Sequence, residues 1–320
     1  MYMFKYILKR LGLLVMTFAI IEIVCFVLIK SLPIEISITT PGQDLDLIKA
    51  QFEARGYYKP IPVQFFYYVK NAFKGDFGIC YNLPDYRNKP VVEVFKSKLP
   101  PTILINVYST IFAVPIGIGL GIFAALKKNK WQDQTISTVV MLFISVPSFV
   151  YAFLVQYIFC FQLKLFPLYM NAGYNYFDWN MFRSMLPAVI SLSFGSIASY
   201  CRSTRAELTE VLTNDYMLLA RTKGLTKGQA TIHHALRNAM VPIFPSIVGE
   251  FVMVLSGSLI IEKIFAIPGV GGLYLASIST QDYDSFMFLS GFYILVGLLA
   301  SIVIDLSYGV IDPRIRMGAR

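Results

Sequence analysis

The chain has 320 residues, 56% of them apolar or aromatic and only 15% charged, with a formal net charge of +9 and four cysteines. A soluble domain usually carries about 25% charged residues, so this composition argues against a water-facing surface, and the apolar content excludes disorder. The sparse cysteines argue against a disulfide scaffold. What remains is an integral membrane protein.

The first predicted span is Leu11–Ile29, preceded by Lys5, Lys9 and Arg10. It is longer than a signal-peptide core and no small-x-small cleavage site follows, so it reads as an uncleaved helix. The segment 33–101 comes next, polar but rich in aromatics. Within it Gln64–Phe73 reads as a short amphipathic helix with Phe65, Tyr68, Val69 and Phe73 on one face, ended by Gly75. This segment is either a cap on the helix ends or a docking surface for an external partner. The next predicted spans are Ile103–Leu126, Thr135–Leu163 and Ser184–Cys201. In the first of these, the string "PIGIGLGIF" permits close helix approach.

The segment 202–238 is too long to be structureless. "AELTEVLTNDYMLLARTKG" reads as helix, with Thr213 or Asn214 capping a second short piece and Gly224 stopping it. "LTKGQATIHHALRNAMVP" follows as another helix with Thr226 as N-cap. The hairpin tip carries Tyr216, Met217, Leu218 and Leu219, an apolar group that points to a partner. The last spans are Ala239–Ile261 and Ser285–Ile304. All six stretches are near the roughly 20 residues that cross a bilayer as helix. They lack the alternating ten-residue pattern of barrel strands. The four cysteines are expected to form no intramolecular disulfide.

With the N-terminus inside, the inner segments 1–10, 127–134, 202–238 and 305–320 hold 15 basic and six acidic residues, a balance equal to the whole net charge. The basic charge is thus a topology signal, and no nucleic-acid partner is needed to explain it.

No catalytic constellation emerges. His233 and His234 are adjacent on one helix and point about 100° apart, which does not suit a shared metal. "GVGGL" at Gly269–Leu273 follows no strand and is no dinucleotide fingerprint. Two acids lie within spans, Glu22 and Glu250. Such residues cost roughly 3 kcal/mol or more at mid-bilayer unless paired or hydrated. Each either contacts a substrate path or partner helix, or is hydrogen-bonded for packing.

Several blocks together resemble the permease subunits of ABC importers for dipeptides and oligopeptides, the B-type subunit in particular. They are "YILKRLGLL", "GDFG" at Gly75–Gly78, "KLPPTI" at Lys98–Ile103, "GIFAALKKNKWQDQ", "ISVPSFV", "IEKIFAIPGVGGL" at Ile261–Leu273 and "DLSYGVIDPRIR" at Asp305–Arg316. The inner hairpin is similar to the ATPase-docking loop of that family. Its matching residues include Asp215, Tyr216, Ala220, Arg221, Lys223 and Gly224, with Leu218 and Leu219 where the general pattern has Glu and Ala.

The resemblance implies an all-α membrane protein with six transmembrane helices and the type I ABC importer permease fold. It divides the chain into a first span at 1–32, an extracytoplasmic loop at 33–101 and a five-helix core at 102–320. The implied partners are a second, C-type permease, two ATP-binding subunits, an extracytoplasmic peptide-binding protein and the lipid bilayer. The chain itself would bind no cofactor and hydrolyse nothing, since ATP and Mg belong to the ATPase chains. The implied location is the bacterial plasma (inner) membrane with both termini cytoplasmic. Nickel or a metal chelate is the nearest alternative cargo. A receptor using the same two loops, or an intramembrane enzyme, is the alternative of a different class.

Overall fold

The computed structural model describes residues 2–32, 50, 52–54, 56–171 and 178–311, with side chains from residue 7 onward. Expectations on Pro33 and on the "DPRIR" end of the C-terminal block lie outside the described residues. Among the described residues all regular structure is helical, apart from one isolated bridge between Ile79 and Pro90. The helices are α1 (Tyr2–Lys30), α2 (Ile61–Ala72), α3 (Val91–Leu126), α4 (Trp131–Ser145), α5 (Ser148–Gln162) and α6 (Trp179–Leu212). They continue with α7 (Asp215–Thr222), α8 (Lys227–Ala239), α9 (Phe244–Ser256), α10 (Leu259–Ile264), α11 (Val270–Ser279) and α12 (Tyr283–Ile311).

Four of these, α1, α3, α6 and α12, are long and apolar enough to span a bilayer unbroken. The pairs α4–α5 and α8–α9 pass the same test together but are bent by 103° and 53°, and counting each pair as one span gives six. The expected third span is thus a broken helix. Pro147 drives Val146 into an extended conformation with ψ 130°, because the proline ring clashes with a helical residue before it. The expected fifth span breaks around Pro242 and ends at Gly257, so Leu259–Ile261 belong to the separate α10.

The chain divides into two compact units, Met1–Pro100 with Gly269–Leu298 and Pro101–Pro268 with Leu299–Arg320. In the first unit one face of α1 is packed. Glu22, Phe26 and Ile29 are buried, while Leu8, Val15, Met16, Ile20 and Leu28 are exposed and suited to lipid. Phe26 meets Phe65 and Tyr68 of α2 at ring distances of 5.2 and 5.6 Å. Phe73 is not on that face. It lies beyond the last turn of α2 and is 90% exposed, because the chain leaves the helix there and turns at Gly75.

Carboxylates at the start of α12 staple the segment after α2. Asp282 accepts from the backbone N–H of Asn82 at 2.8 Å and caps α12 through the N–H of Ser285 at 3.1 Å. Asp284 accepts from the N–H of Ile79 and from the Tyr57 hydroxyl. The Lys30 ammonium stands over the rings of Tyr57 and Tyr283, 3.4 and 4.6 Å from their centroids, a cation–π arrangement. Cys80 is buried beside Ser285, and burial pushes its thiol up to about 11.

In the second unit α3 and α6 come together through the glycine string. A side chain at Gly117 would stand 2.8 Å from the carbonyl of Ile197, and one at Gly121 would stand 2.7 Å from that of Cys201. The close approach anticipated from "PIGIGLGIF" is therefore made by Gly117 and Gly121, four residues apart on one face. At 34 residues, α6 is about 51 Å long, well over the roughly 30 Å hydrocarbon core. Its C-terminal turns, residues 202–212, continue the helix beyond the expected span.

Candidate functional site

Two features of the second unit are candidates, the hairpin after α6 and a cleft along α6. The hairpin begins where α6 stops at Leu212. Asn214 holds the N-cap position of α7 with extended backbone but makes no side-chain capping bond, and Thr213 donates instead to the Glu210 carbonyl. Gly224 ends the helix with φ +93°, a left-handed conformation that side chains disfavour. Thr226 then caps α8 in a reciprocal capping box with Gln229.

Met217 and Ala220 point into the hairpin's own core with Leu208, Val211, Ala230, Ala235 and Ala239. Ala230 and Ala235 share a face although five residues apart, because residues 231–236 form a π-helical turn. The opposite side of α7 is apolar and open. Leu218 is 64% exposed, Leu219 56% and Tyr216 38%. Asp215, Arg221, Lys223 and Gly224 are also exposed. Of the residues expected to meet a partner, Met217 and Ala220 are instead turned inward, because they sit on the face of α7 that packs on the hairpin core.

A half-buried ion pair steadies the base of this hairpin. Arg205 of α6 donates from Nη2 to Asp133 at 2.8 Å and from Nε to its other oxygen, and Asp133 also accepts from the backbone N–H of Asn129. Asp133 is buried. The pair ties the turn between α3 and α4 to the part of α6 that carries the hairpin. Sequence reasoning missed it, and the only local hint was an acid in the first turn of α4. It also missed Glu262, one residue past the expected fifth span, which is buried in α10 and accepts from the Thr102 hydroxyl at 2.9 Å.

The cleft has a volume of about 490 Å³. Its lining includes Ser196, Ser199, Ser203 and Glu207 of α6, Glu250 of α9 and Tyr308 of α12. Glu250 accepts a hydrogen bond from Ser196 Oγ at 2.7 Å, and Tyr200 lines the cleft beside it. Ser199 and Ser203 are exposed on the same helix. An exposed row of hydroxyls within a membrane helix does not suit lipid, and intramembrane polar groups face a bundle interior or a wet cavity.

Glu22 is placed differently. It lies in the first unit, 5% exposed, and accepts from the Tyr68 hydroxyl at 3.1 Å. Burial, and the Glu22 carboxylate beside it, push the Tyr68 hydroxyl up, so Tyr68 stays a proton donor. The structure therefore brings Glu250 to a cleft and Glu22 to a packed contact.

The family of binding-protein-dependent transport system inner membrane components matches residues 117–317. The chain is 35% identical over 319 residues to the dipeptide transport system permease protein DppB of Lactococcus lactis subsp. cremoris, covering 98% of this chain and 100% of that one. It is 32% identical over 316 residues to the glutathione transport system permease protein GsiC of Escherichia coli K12, with 98% and 99% covered. Among solved structures it is similar to an amino acid ABC transporter chain, with TM-score 0.50, 20% identity, and 68% of this chain and 94% of that one covered. It is also similar to a chain of the MetNI methionine ABC transporter, with TM-score 0.51, 14% identity and 68% and 97% covered. Those two likenesses carry the fold, a helical permease of type I. On the match over most of its length, this chain belongs to the binding-protein-dependent transport system inner membrane components, the permeases of ABC importers.

Proposed function

We propose that this chain is the permease subunit of an ATP-driven importer that takes up peptides handed over by an extracytoplasmic binding protein. The end-to-end similarity to a dipeptide permease carries this reading. A second permease completes the path, and two ATPase chains supply the energy. The distribution of basic residues supports an inner location for both termini and for the α7 hairpin. There α7 presents Tyr216, Leu218 and Leu219 to a groove on the ATPase, flanked by Asp215, Arg221 and Lys223. Ala220 and the Gly224 turn hold α7 in place. ATP closes the ATPase pair, the docked hairpin moves as a rigid body, and the spans alternate between two accesses. The serine-lined cleft with Glu250 is this chain's share of the path.

The test is ATP-driven accumulation of radiolabelled dialanine in proteoliposomes holding the complete complex and its binding protein. The variant carries Leu218→Glu and Leu219→Glu. Both side chains are exposed, so the fold is retained, while docking would bury two charges at roughly 3–5 kcal/mol each. Accumulation should fall about a hundredfold or more, with the ATPase chains lost on purification. Unchanged accumulation in the variant would contradict docking through α7. No accumulation by a wild-type complex with active ATPase would point to another cargo, metal chelates first.

A further inference from the structure

Resting on the peptide reading, we propose that the Glu250 carboxylate is the subsite that receives the positively charged amino terminus of the substrate. Four features of the cleft lead there. Among its described lining residues there are two carboxylates, Glu207 and Glu250, and no lysine or arginine. The site is therefore complementary to a cation. Its volume of about 490 Å³ falls within the range of roughly 300–1,000 Å³ typical of small-molecule sites.

The third feature is orientation. A carboxylate offers about four acceptor positions. Ser196 uses one of them and orients the group, leaving acceptor capacity for an ammonium with its three donors. The fourth is depth. Ser196 lies within the expected span Ser184–Cys201, five residues or about 8 Å short of its inner end. Glu250 is bonded to Ser196 inside that span, whereas Glu207 is about 16 Å further along α6 and beyond it. The remaining lining, Ser199, Ser203 and Ser246, can pair with a peptide backbone, which every peptide shares. One charge anchor with neutral hydroxyls around it reads the invariant parts of a peptide and ignores its side chains.

The experiment uses the complete complex in proteoliposomes with its binding protein. Two photoreactive dipeptides carry a diazirine side chain on either the amino-terminal or the carboxy-terminal residue. Turnover is arrested and the cross-links are mapped. The amino-terminal probe should mark residues beside Glu250 and Ser196, and the carboxy-terminal probe should mark them several-fold less. Glu250→Gln should cut dialanine uptake by about tenfold to a hundredfold, the size of a lost charge-assisted bond, and should weaken the amino-terminal cross-link. Glu250→Asp should recover part of both.

Wild-type uptake with an unaffected Glu250→Gln variant would overturn this subsite while leaving the peptide reading intact. So would a preference of the carboxy-terminal probe for Glu250. Loss of the second permease from purified Glu250→Gln complex would assign the carboxylate to a basic group of that partner and overturn the proposal. No uptake of any dipeptide by wild type would overturn the peptide reading and the subsite together.

Discussion

Glu22 and Glu250 are both acids within apolar helices, yet their surroundings differ in kind. Glu22 sits on the packed face of α1 with Phe26 and Ile29, under the hydroxyl of Tyr68. Glu250 sits on α9 at the edge of a cleft, held by Ser196 and beside a row of serine hydroxyls. An intramembrane acid is therefore not by itself a marker of a transport path. What separates the two is whether the groups around the carboxylate close it off or leave acceptor positions open to water or ligand.

Substitution breaks this comparison most sharply at the acids themselves. Glu250→Gln is expected to lower dialanine uptake tenfold or more, while Glu22→Gln keeps the Tyr68 bond and should leave uptake within about twofold of wild type. Equal losses in the proteoliposome assay would erase the distinction. The donors give a smaller effect on stability. Tyr68→Phe leaves a buried carboxylate without that donor and should cost about 1–3 kcal/mol, seen as a lower unfolding midpoint of the purified complex. Ser196→Ala should cost less, because water in the cleft replaces the hydroxyl. The smallest effect concerns Cys80, in the same closed unit as Glu22. With its thiol pushed up to about 11, its thiolate fraction at pH 8 is about a hundredfold below that of an ordinary cysteine. The sign is that of a raised acid: the protonated form is favoured in the fold, full stabilisation holds below the ordinary value, and it is lost as pH rises through about 11. Alkylation of Cys80 at pH 8 in the native complex should therefore be very slow, and rapid labelling would show that this unit opens to water.

Much of this was legible from local signals. The apolar runs locate the spans, Thr226 caps α8 as read, Gly224 stops α7, and Gly117 and Gly121 pack against another helix. The breaks at Pro147 and Pro242 were only half legible. The prolines are visible in the sequence, but a long apolar run also hides a bend, because hydrophobicity carries no direction. Phe73 was misplaced because helical periodicity was extended past the end of α2 at Ala72. The contacts that define the two acid sites were not legible. Tyr68 is 46 residues from Glu22, Ser196 is 54 from Glu250, and Arg205 is 72 from Asp133. Such pairings depend on which helix faces meet, and no local pattern encodes that.

The most direct test of the account is the water accessibility of the two sites during transport. Cys25, Cys80, Cys160 and Cys201 are replaced by alanine or serine, and Ser199→Cys or Glu22→Cys is introduced singly. The complete complex in membranes is then treated with a charged, membrane-impermeant thiol reagent on either side, with and without dialanine, its binding protein and ATP. The account predicts modification of the thiol at position 199 at a rate that dialanine turnover changes, and no measurable modification at position 22. Modification at 22 but not at 199, or equal rates insensitive to dialanine, would contradict it.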